Sequence, residues 1–400
     1  MTPTNSPAEQ RLDVLDGMRG LAALLVVAYH FFSRWAEPQF TPTLYAHGDA
    51  VATFPPLQVA GNVGVQLFFL ISGFVIMMTL ERASGVLDFA AKRIARLWPT
   101  MLICATLSTV LINASGVAYV YENVARWQVT PVEYFSSIFF IPPDLIAGLL
   151  NVEQSDTPRW VEGVYWTLWC EVRFYALIAC VFWISPRTQF LWVWFGIQSL
   201  SFGLDILLQS GDGNTGVPMA VGLILQPEML GLFTLGLVGW KWRTLGPHPA
   251  LIALTIIASL SILLGPVISL QDAAIALSDN ASRALLALAM IGVPFVLFLR
   301  QSRILKPLTW PPLIAVGLAS YPLYLFHERP GMIYMHWLND FGIHPWITVV
   351  LAIAIVICTA LLIHRFAEDP GKRMFLRLTM GATTKLQTRF RFLRMPGNRS

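Results

Sequence analysis

The sequence is poor in charged residues. Asp, Glu, Lys and Arg together make up 12% of its 400 residues, about half the roughly 25% usual in soluble proteins. Hydrophobic residues make up 56%, and 14 Trp and 25 Phe are among them. A soluble fold of this size could not keep that much apolar surface from water, and a disordered chain would carry far more charge. The small net charge of +4 is not gathered on one basic face, which excludes a nucleic-acid-binding protein. The composition predicts a polytopic membrane protein.

Cysteine and the common catalytic motifs are scarce as well. The four cysteines lie inside apolar runs and form no C-x-x-C pair, so we expect neither a disulfide framework nor a cysteine metal site. The chain has no G-x-S-x-G, H-E-x-x-H, G-x-G-x-x-G or phosphate-loop motif. The sequence therefore predicts chemistry without a metal, carried by side chains inside the membrane.

Ten segments are apolar and long enough to cross the bilayer as helices, which takes about 20 residues for about 30 Å of hydrocarbon. They are 15–33, 62–80, 95–115, 163–184, 189–208, 219–240, 250–269, 284–300, 312–328 and 346–366. An eleventh stretch, 132–150, contains Pro142, Pro143 and Asp144, and its uninterrupted part is too short to cross. The predicted fold is an all-α transmembrane bundle of about ten spans.

The distribution of Lys and Arg orients this bundle, because these residues collect on the cytoplasmic side. With ten spans, most of the 27 Lys and Arg lie on the side that also holds both termini. We expect a multi-pass protein of the cell's inner membrane, with a membrane domain over 1–370 and a basic cytoplasmic tail over 371–400. The mixed basic and apolar tail is suited to contact with anionic membrane lipid.

Ionisable residues inside a span are costly and therefore point to function. Arg19 and His30 are eleven residues apart in the first span, close to three helical turns, so they share one stripe about 16 Å long. The free pKa of imidazole suits removal of a proton from a hydroxyl near neutral pH. His30 is a candidate general base, and structural helix packing is the alternative.

The third and fourth spans carry further candidates. Arg93 and Arg96 lie three residues apart at the cytoplasmic start of a span, where paired guanidinium groups could grip phosphates or simply anchor the helix. Glu171 lies within the fourth span with Tyr175 on the same face. Its carboxylate could orient a histidine, as the acid does in hydrolytic triads, or form a structural ion pair. Glu228, after Pro227, is a second intramembrane carboxylate that we expect to be structural.

Near the end of the ninth span, Tyr324 and His327 lie three residues apart, a spacing that places both on one face of a helix. They are candidates for acceptor binding, with ordinary interface packing as the alternative.

These segments resemble the acyltransferase-3 family of integral membrane O-acyltransferases, and the resemblance runs along most of the chain in the family's order. The matching segments are LDGMRGLAALLVVAYH (15–30), FFLISGFVI (68–76), RIARLWP (93–99), WTLWCEVRFY (166–175), QPEMLG (226–231), SYPLYLFHE (320–328) and AEDPGKR (367–373). Met18 and Thr167 stand where the family usually has Leu and Ser.

The resemblance implies acylation of a hydroxyl on a sugar or other acceptor by an acyl donor such as acetyl-CoA. It assigns the family's functional positions to five residues of this chain: Arg19, His30, Arg93, Arg96 and Glu171. Some family members carry a fused outer esterase-like domain. This sequence shows none, so we expect a stand-alone enzyme that modifies surface polysaccharides, lipid-linked sugars or secreted metabolites.

The resulting hypothesis places the CoA phosphates on Arg93 and Arg96 near Arg19. His30, oriented by Glu171 or another carboxylate, deprotonates an acceptor held by Tyr175, Tyr324 and His327, although a covalent acyl-histidine route remains open.

Two other classes stay open. A secondary transporter or exporter of a polysaccharide or small solute would also need buried charges. The other large membrane O-acyltransferase superfamily would use a late histidine in an apolar run. His364 fits that pattern only superficially, because Arg365 beside it indicates the inner membrane boundary.

Overall fold

The structure, a computed structural model, describes residues 7–32, 34, 55–117, 128–150, 158–210, 227–268 and 289–379. Within these ranges the chain is helical and contains no β-strand, which confirms the all-α prediction. The side chain of Glu228 and most of the basic tail, from residue 380 onward, lie outside the described residues.

Fourteen α-helices, with two short 3-10 turns and one π-helical turn, make up the described chain. In chain order they are α1 (Pro7–Phe32), α2 (Pro55–Arg82), α3 (Val86–Ser115), α4 (Pro131–Ile138), α5 (Pro143–Leu150), α6 (Trp166–Ile184), α7 (Phe190–Ser210), α8 (Pro227–Leu245), α9 (Pro249–Ile268), α10 (Ala289–Leu299), α11 (Pro311–Leu318), α12 (Ser320–Phe326), α13 (Glu328–Asp340) and α14 (Pro345–Ile363). The 3-10 turns are Gly163–Tyr165 and Arg303–Thr309, and the π-helical turn is His364–Glu368.

Five helical segments among the described residues are long and apolar enough to span a membrane. They are Asp13–Phe32, Gly61–Arg82, Val86–Ser115, Gly163–Ile184 and Pro345–Thr379. Each overlaps a predicted span, and three shorter apolar helices (Phe190–Leu204, Pro249–Leu264 and Ala289–Leu299) overlap three more. The prediction of a helical protein with several membrane-spanning segments is confirmed. The total of ten and the side of the termini stay predictions.

Two apolar stretches form several short helices in the structure. Residues 132–150 form the two eight-residue helices α4 and α5, each about 12 Å long and too short to cross. The predicted span 312–328 is divided into α11 and α12, and α13 follows directly. Pro322 and Pro330 explain the two breaks, because each lacks the N–H that would bond to the carbonyl four residues earlier.

The core of the bundle is built on α2, which packs between α1 and α8. Helix α8 packs against α9, α9 against α7, and α1 against α11. Where α2 crosses α8 the two backbones touch at paired glycines. A Cβ added to Gly73 would overlap the carbonyl of Phe233, and one added to Gly236 would overlap the carbonyl of Leu70. Glycine is therefore required at this crossing by space alone, as at close helix contacts in membranes generally.

We expect Gly73→Ala to lower the free energy of unfolding by about 1–3 kcal/mol, because the added methyl group must push α2 away from α8. The thermal unfolding midpoint of the purified protein in detergent measures this loss. Gly196→Ala on α7 is the matched control, since a Cβ there meets no atom within 4 Å. Equal midpoints for the two variants would contradict the close crossing of α2 and α8.

Candidate active site

Most of the predicted site residues meet at one cavity of about 260 Å³. Arg19 from α1, Arg93 and Arg96 from α3, and Glu171 from α6 all line it. Lys372, from the helix that continues beyond α14, completes the charged lining. Four cations and one carboxylate thus face a single space among apolar helices, and this excess of positive charge can attract an anion.

Arg96 is held by a buried carboxylate. Its guanidinium forms an ion pair with Glu368, whose side chain is only 2% exposed, and lies over the ring of Tyr321 at 5.2 Å. The other oxygen of Glu368 lies 2.7 Å from His364 Nδ1. Glu368 ends the π-helical turn His364–Glu368, and such turns are frequent at functional sites. The role of His364 in the structure is therefore to contact the partner of Arg96.

Arg93 differs from its neighbours, because no carboxylate of the described residues forms an ion pair with it. Its Nη2 donates only a long hydrogen bond of 3.4 Å to Thr79 Oγ1. The guanidinium otherwise lies over the rings of Phe89 and Tyr175, at 5.8 and 5.9 Å. Its buried Nε has no hydrogen-bond partner. A buried donor without a partner is costly, so Arg93 is the cation best prepared to take an incoming anion. Arg19, by contrast, is paired with Asp16 at 2.8 Å.

Glu171 is held by two hydroxyl groups. Ser72 Oγ donates to its Oε1 at 2.8 Å, and Tyr175 OH donates to the same oxygen. The sequence hypothesis had Glu171 orient His30, whereas these hydrogen bonds tie it to α2 and to the wall of the cavity. Sequence reasoning did not select Ser72 as a site residue, although it lies in the FFLISGFVI segment that carried the family resemblance.

His30 is paired with His327. His327 Nε2 lies 3.2 Å from His30 Nδ1, and the ring centroids are 4.9 Å apart. His327 is fully buried, and His30 is half-buried. The two rings do not line the charged cavity, but Tyr324 does, and its ring centroid is 5.9 Å from that of His327. Tyr324 therefore belongs both to the lining of the cationic cavity and to the surroundings of His327.

His327 lies at the break between α12 and α13, and residues of the segment before α6 form hydrogen bonds to the chain around this break. Tyr165 OH donates to the carbonyl of Leu325 at 3.1 Å. The backbone N–H of Val164 donates to Glu328 at 2.9 Å, and that of Arg329 donates to Glu162 at the same distance. Burial, together with the neighbouring Glu328 carboxylate, raises the pKa of Glu162. These contacts lock the position of His327, and sequence reasoning missed Glu162.

Lys372 was also missed. The prediction assigned it to a basic tail beginning at 371, but the helix that starts at Pro345 continues to Thr379 and brings Lys372 to the cavity. The signal was available in the AEDPGKR segment, where the resemblance included the lysine without a role. Among the described residues, no group of three or more His, Cys, Asp or Glu is arranged to hold a metal ion.

The fold and the site together define a class: a helical membrane protein with a cationic cavity and a histidine pair, both of which have Tyr324 as a neighbour. The chain belongs to the acyltransferase-3 family, which is described as an acyltransferase domain and matches residues 12–365. The prediction of this family from the sequence is confirmed.

The curated relatives that match are named O-acetyltransferases. O-acetyltransferase OatA of Staphylococcus aureus strain NCTC 8325 / PS 47 is 25% identical over 390 residues, covering 90% of this chain and 57% of its own length. OatA of Staphylococcus aureus strain COL matches with the same identity and coverage. This chain thus spans little more than half the length of these relatives. No solved structure matches it.

We expect Glu368→Gln to lower the free energy of unfolding by about 1–3 kcal/mol, because it leaves Arg96 beside other cations without its counter-charge. Partial exposure of Arg96 keeps the loss below that of a fully buried pair. Chemical denaturation of the purified protein measures it. Lys92→Gln is the matched control: it removes the less buried ion pair with Asp88, four residues away on the same helix, and should cost less than about 1 kcal/mol. A smaller effect of Glu368→Gln than of Lys92→Gln would contradict this role.

Proposed function

We propose that this protein is an inner-membrane O-acyltransferase that moves an acyl group, such as acetyl, from cytoplasmic acyl-CoA to a hydroxyl group. The acceptor would be a sugar in a surface polysaccharide, a lipid-linked glycan or a secreted metabolite. Family membership and the names of the relatives support acyl transfer. The observation that carries the proposal is the convergence of four cations at a cavity whose lining includes Tyr324, a neighbour of His327, which in turn contacts His30.

The positive charge of the cavity supports its assignment as the binding site of the acyl donor. Coenzyme A carries several phosphate groups, and planar guanidinium groups bind phosphate oxygens through paired hydrogen bonds. Arg93 offers donors that no carboxylate already occupies, while Arg19, Arg96 and Lys372 add charge around it. In a surrounding of low dielectric, this excess of positive charge attracts the polyanion more strongly than it would in water.

The partial exposure of His30 supports its assignment to the acceptor's site. His30 is half-buried and does not line the cavity, so we assign the acceptor to His30 and the donor to the cavity. His30 removes the proton of the acceptor hydroxyl, and the oxygen then attacks the thioester carbonyl carbon. The new C–O bond forms, the C–S bond breaks, and the leaving sulfur takes the proton back from the imidazolium. The products are an ester and the free CoA thiol.

The two tyrosines take different parts in this scheme. Tyr175, first considered for acceptor binding, lies under Arg93 and donates to Glu171, so we assign it to the wall of the donor cavity. Tyr324 lines the cavity and its ring lies near that of His327, so we place the meeting of the acyl group and the acceptor beside it. Its hydroxyl is 2.8 Å from Thr167 Oγ1.

Replacement of His30 tests the base. We expect His30→Gln to reduce acyl transfer from radiolabelled acyl-CoA by about a hundredfold or more, because an amide side chain cannot take up the proton of the acceptor hydroxyl. The assay uses membranes with equal amounts of protein. His344→Gln is the matched control at an exposed position and should retain full activity. Undiminished transfer by His30→Gln would remove His30 from the mechanism.

Replacement of Lys372 tests the donor cavity. We expect Lys372→Gln to raise the KM for acyl-CoA by about tenfold while kcat stays within a factor of about two, since one charged hydrogen bond to a phosphate is worth about 1.5 kcal/mol. Arg373→Gln is the matched control, because the next residue does not line this cavity. Equal KM values for the two variants would place the donor phosphates elsewhere.

A further inference from the structure

The nitrogen atoms of the histidine pair have partners that determine where the hydrogens lie. His327 Nδ1 lies 2.9 Å from the carbonyl oxygen of Tyr324 and 3.1 Å from that of Leu323. Carbonyl oxygens only accept hydrogen bonds. His327 Nδ1 must therefore carry a hydrogen.

The second nitrogen of His327 then becomes an acceptor. His327 is 0% exposed, and a charged imidazole in such a place is costly without a counter-charge. A neutral ring with its hydrogen on Nδ1 has a lone pair on Nε2. That lone pair points at His30 Nδ1, 3.2 Å away.

The hydrogen between the rings therefore belongs to His30. Its Nδ1 faces two acceptors, the lone pair of His327 and the carbonyl oxygen of Val26 at 3.0 Å. A hydrogen on Nδ1 of a neutral imidazole leaves the lone pair on Nε2. The carbonyl groups beside each Nδ1 and the full burial of His327 together determine both tautomers of the pair.

We infer that His327 is a positioning residue that, together with the Val26 carbonyl, holds His30 in the tautomer whose Nε2 carries the lone pair and acts as the base. This inference rests on the proposed function. His327 would do as a neutral ring what the carboxylate does in a hydrolytic triad, which holds the histidine in one tautomer and orientation. When His30 takes the acceptor's proton on Nε2, its Nδ1–H becomes a stronger donor, and the lone pair of His327 stabilises the imidazolium.

The helix break explains why a histidine is suited to this position. Helix α12 ends at Phe326, so the carbonyl groups of Leu323 and Tyr324 belong to its last turn and lack partners within the helix. The ring of His327 donates to these carbonyls with one nitrogen and accepts from His30 with the other. A side chain that could only donate would bond to the carbonyl groups of α12 but not accept from His30. A side chain that could only accept would bond to His30 but leave those carbonyl groups without a donor.

Two amide substitutions separate donation to the carbonyl groups of α12 from acceptance of the hydrogen bond from His30. His327→Gln places an amide oxygen near the position of Nε2, where it can accept from His30. His327→Asn places an amide nitrogen near Nδ1, where it can satisfy the carbonyls of α12 but cannot reach His30. We expect His327→Asn to lower kcat by about tenfold to a hundredfold with an unchanged KM for acyl-CoA, and His327→Gln to retain most of kcat. If His327 only capped α12, His327→Asn would retain more of kcat than His327→Gln. That result would overturn the inference.

The tautomer itself can be observed without an activity assay. Solid-state NMR of the full-length protein with ¹⁵N-labelled histidine distinguishes nitrogen that carries a hydrogen from nitrogen with a lone pair, and His30→Gln assigns the signals of His30. We expect the hydrogen on Nδ1 of His30 in the unsubstituted protein. In His327→Leu only the Val26 carbonyl still accepts from this nitrogen, so we expect a larger share of the other tautomer than in the unsubstituted protein. A hydrogen on Nε2 of His30 in the unsubstituted protein would overturn the inference even if a variant failed to fold. Full activity of His30→Gln would instead refute the proposed function and leave the tautomer result standing.

Discussion

Uncompensated positive charge inside a helical bundle is the constraint on which the rest of the site depends. Four cations line a cavity with one carboxylate, and that carboxylate, Glu171, is already bound by Ser72 and Tyr175. The protein neutralises Arg96 with Glu368 and Arg19 with Asp16. It leaves Arg93 over aromatic rings, with one buried N–H unpaired. Such an arrangement is costly in the empty protein and becomes favourable only when an anion arrives.

Helix α1 links this charge to the histidine pair. It carries Arg19 at the cavity and His30 three turns further along, a separation of about 16 Å. Because one continuous helix holds both residues, the distance between Arg19 and His30 is set by backbone geometry and does not depend on loops. The acyl donor of the proposed reaction would therefore be bound extended, with its charge at one end and its reactive group at the other.

The local periodicity of the sequence predicted much of this site, but the partners within it were not predictable. The spacing of Arg93 and Arg96 placed both on one face of α3, and the cavity contains both. By contrast, His30 and His327 are 297 positions apart, and no helical period relates such positions. Glu171 was expected to orient His30, whereas the fold binds it to Ser72, 99 positions away. Pairings of this kind depend on how the helices pack, which a pattern along one helix does not encode.

The same reasoning explains the broken ninth span. Hydrophobicity alone predicts one helix over 312–328, because it does not distinguish a proline that is tolerated from one that ends a helix. Pro322 and Pro330 end two helices here, and the second break frees the carbonyls to which His327 donates. Polar contacts from Glu162 and Val164 then hold the break in place. Irregular backbone in a membrane protein is tolerated only where other groups satisfy its polar atoms, so these contacts stabilise the break and at the same time position the ring that faces His30.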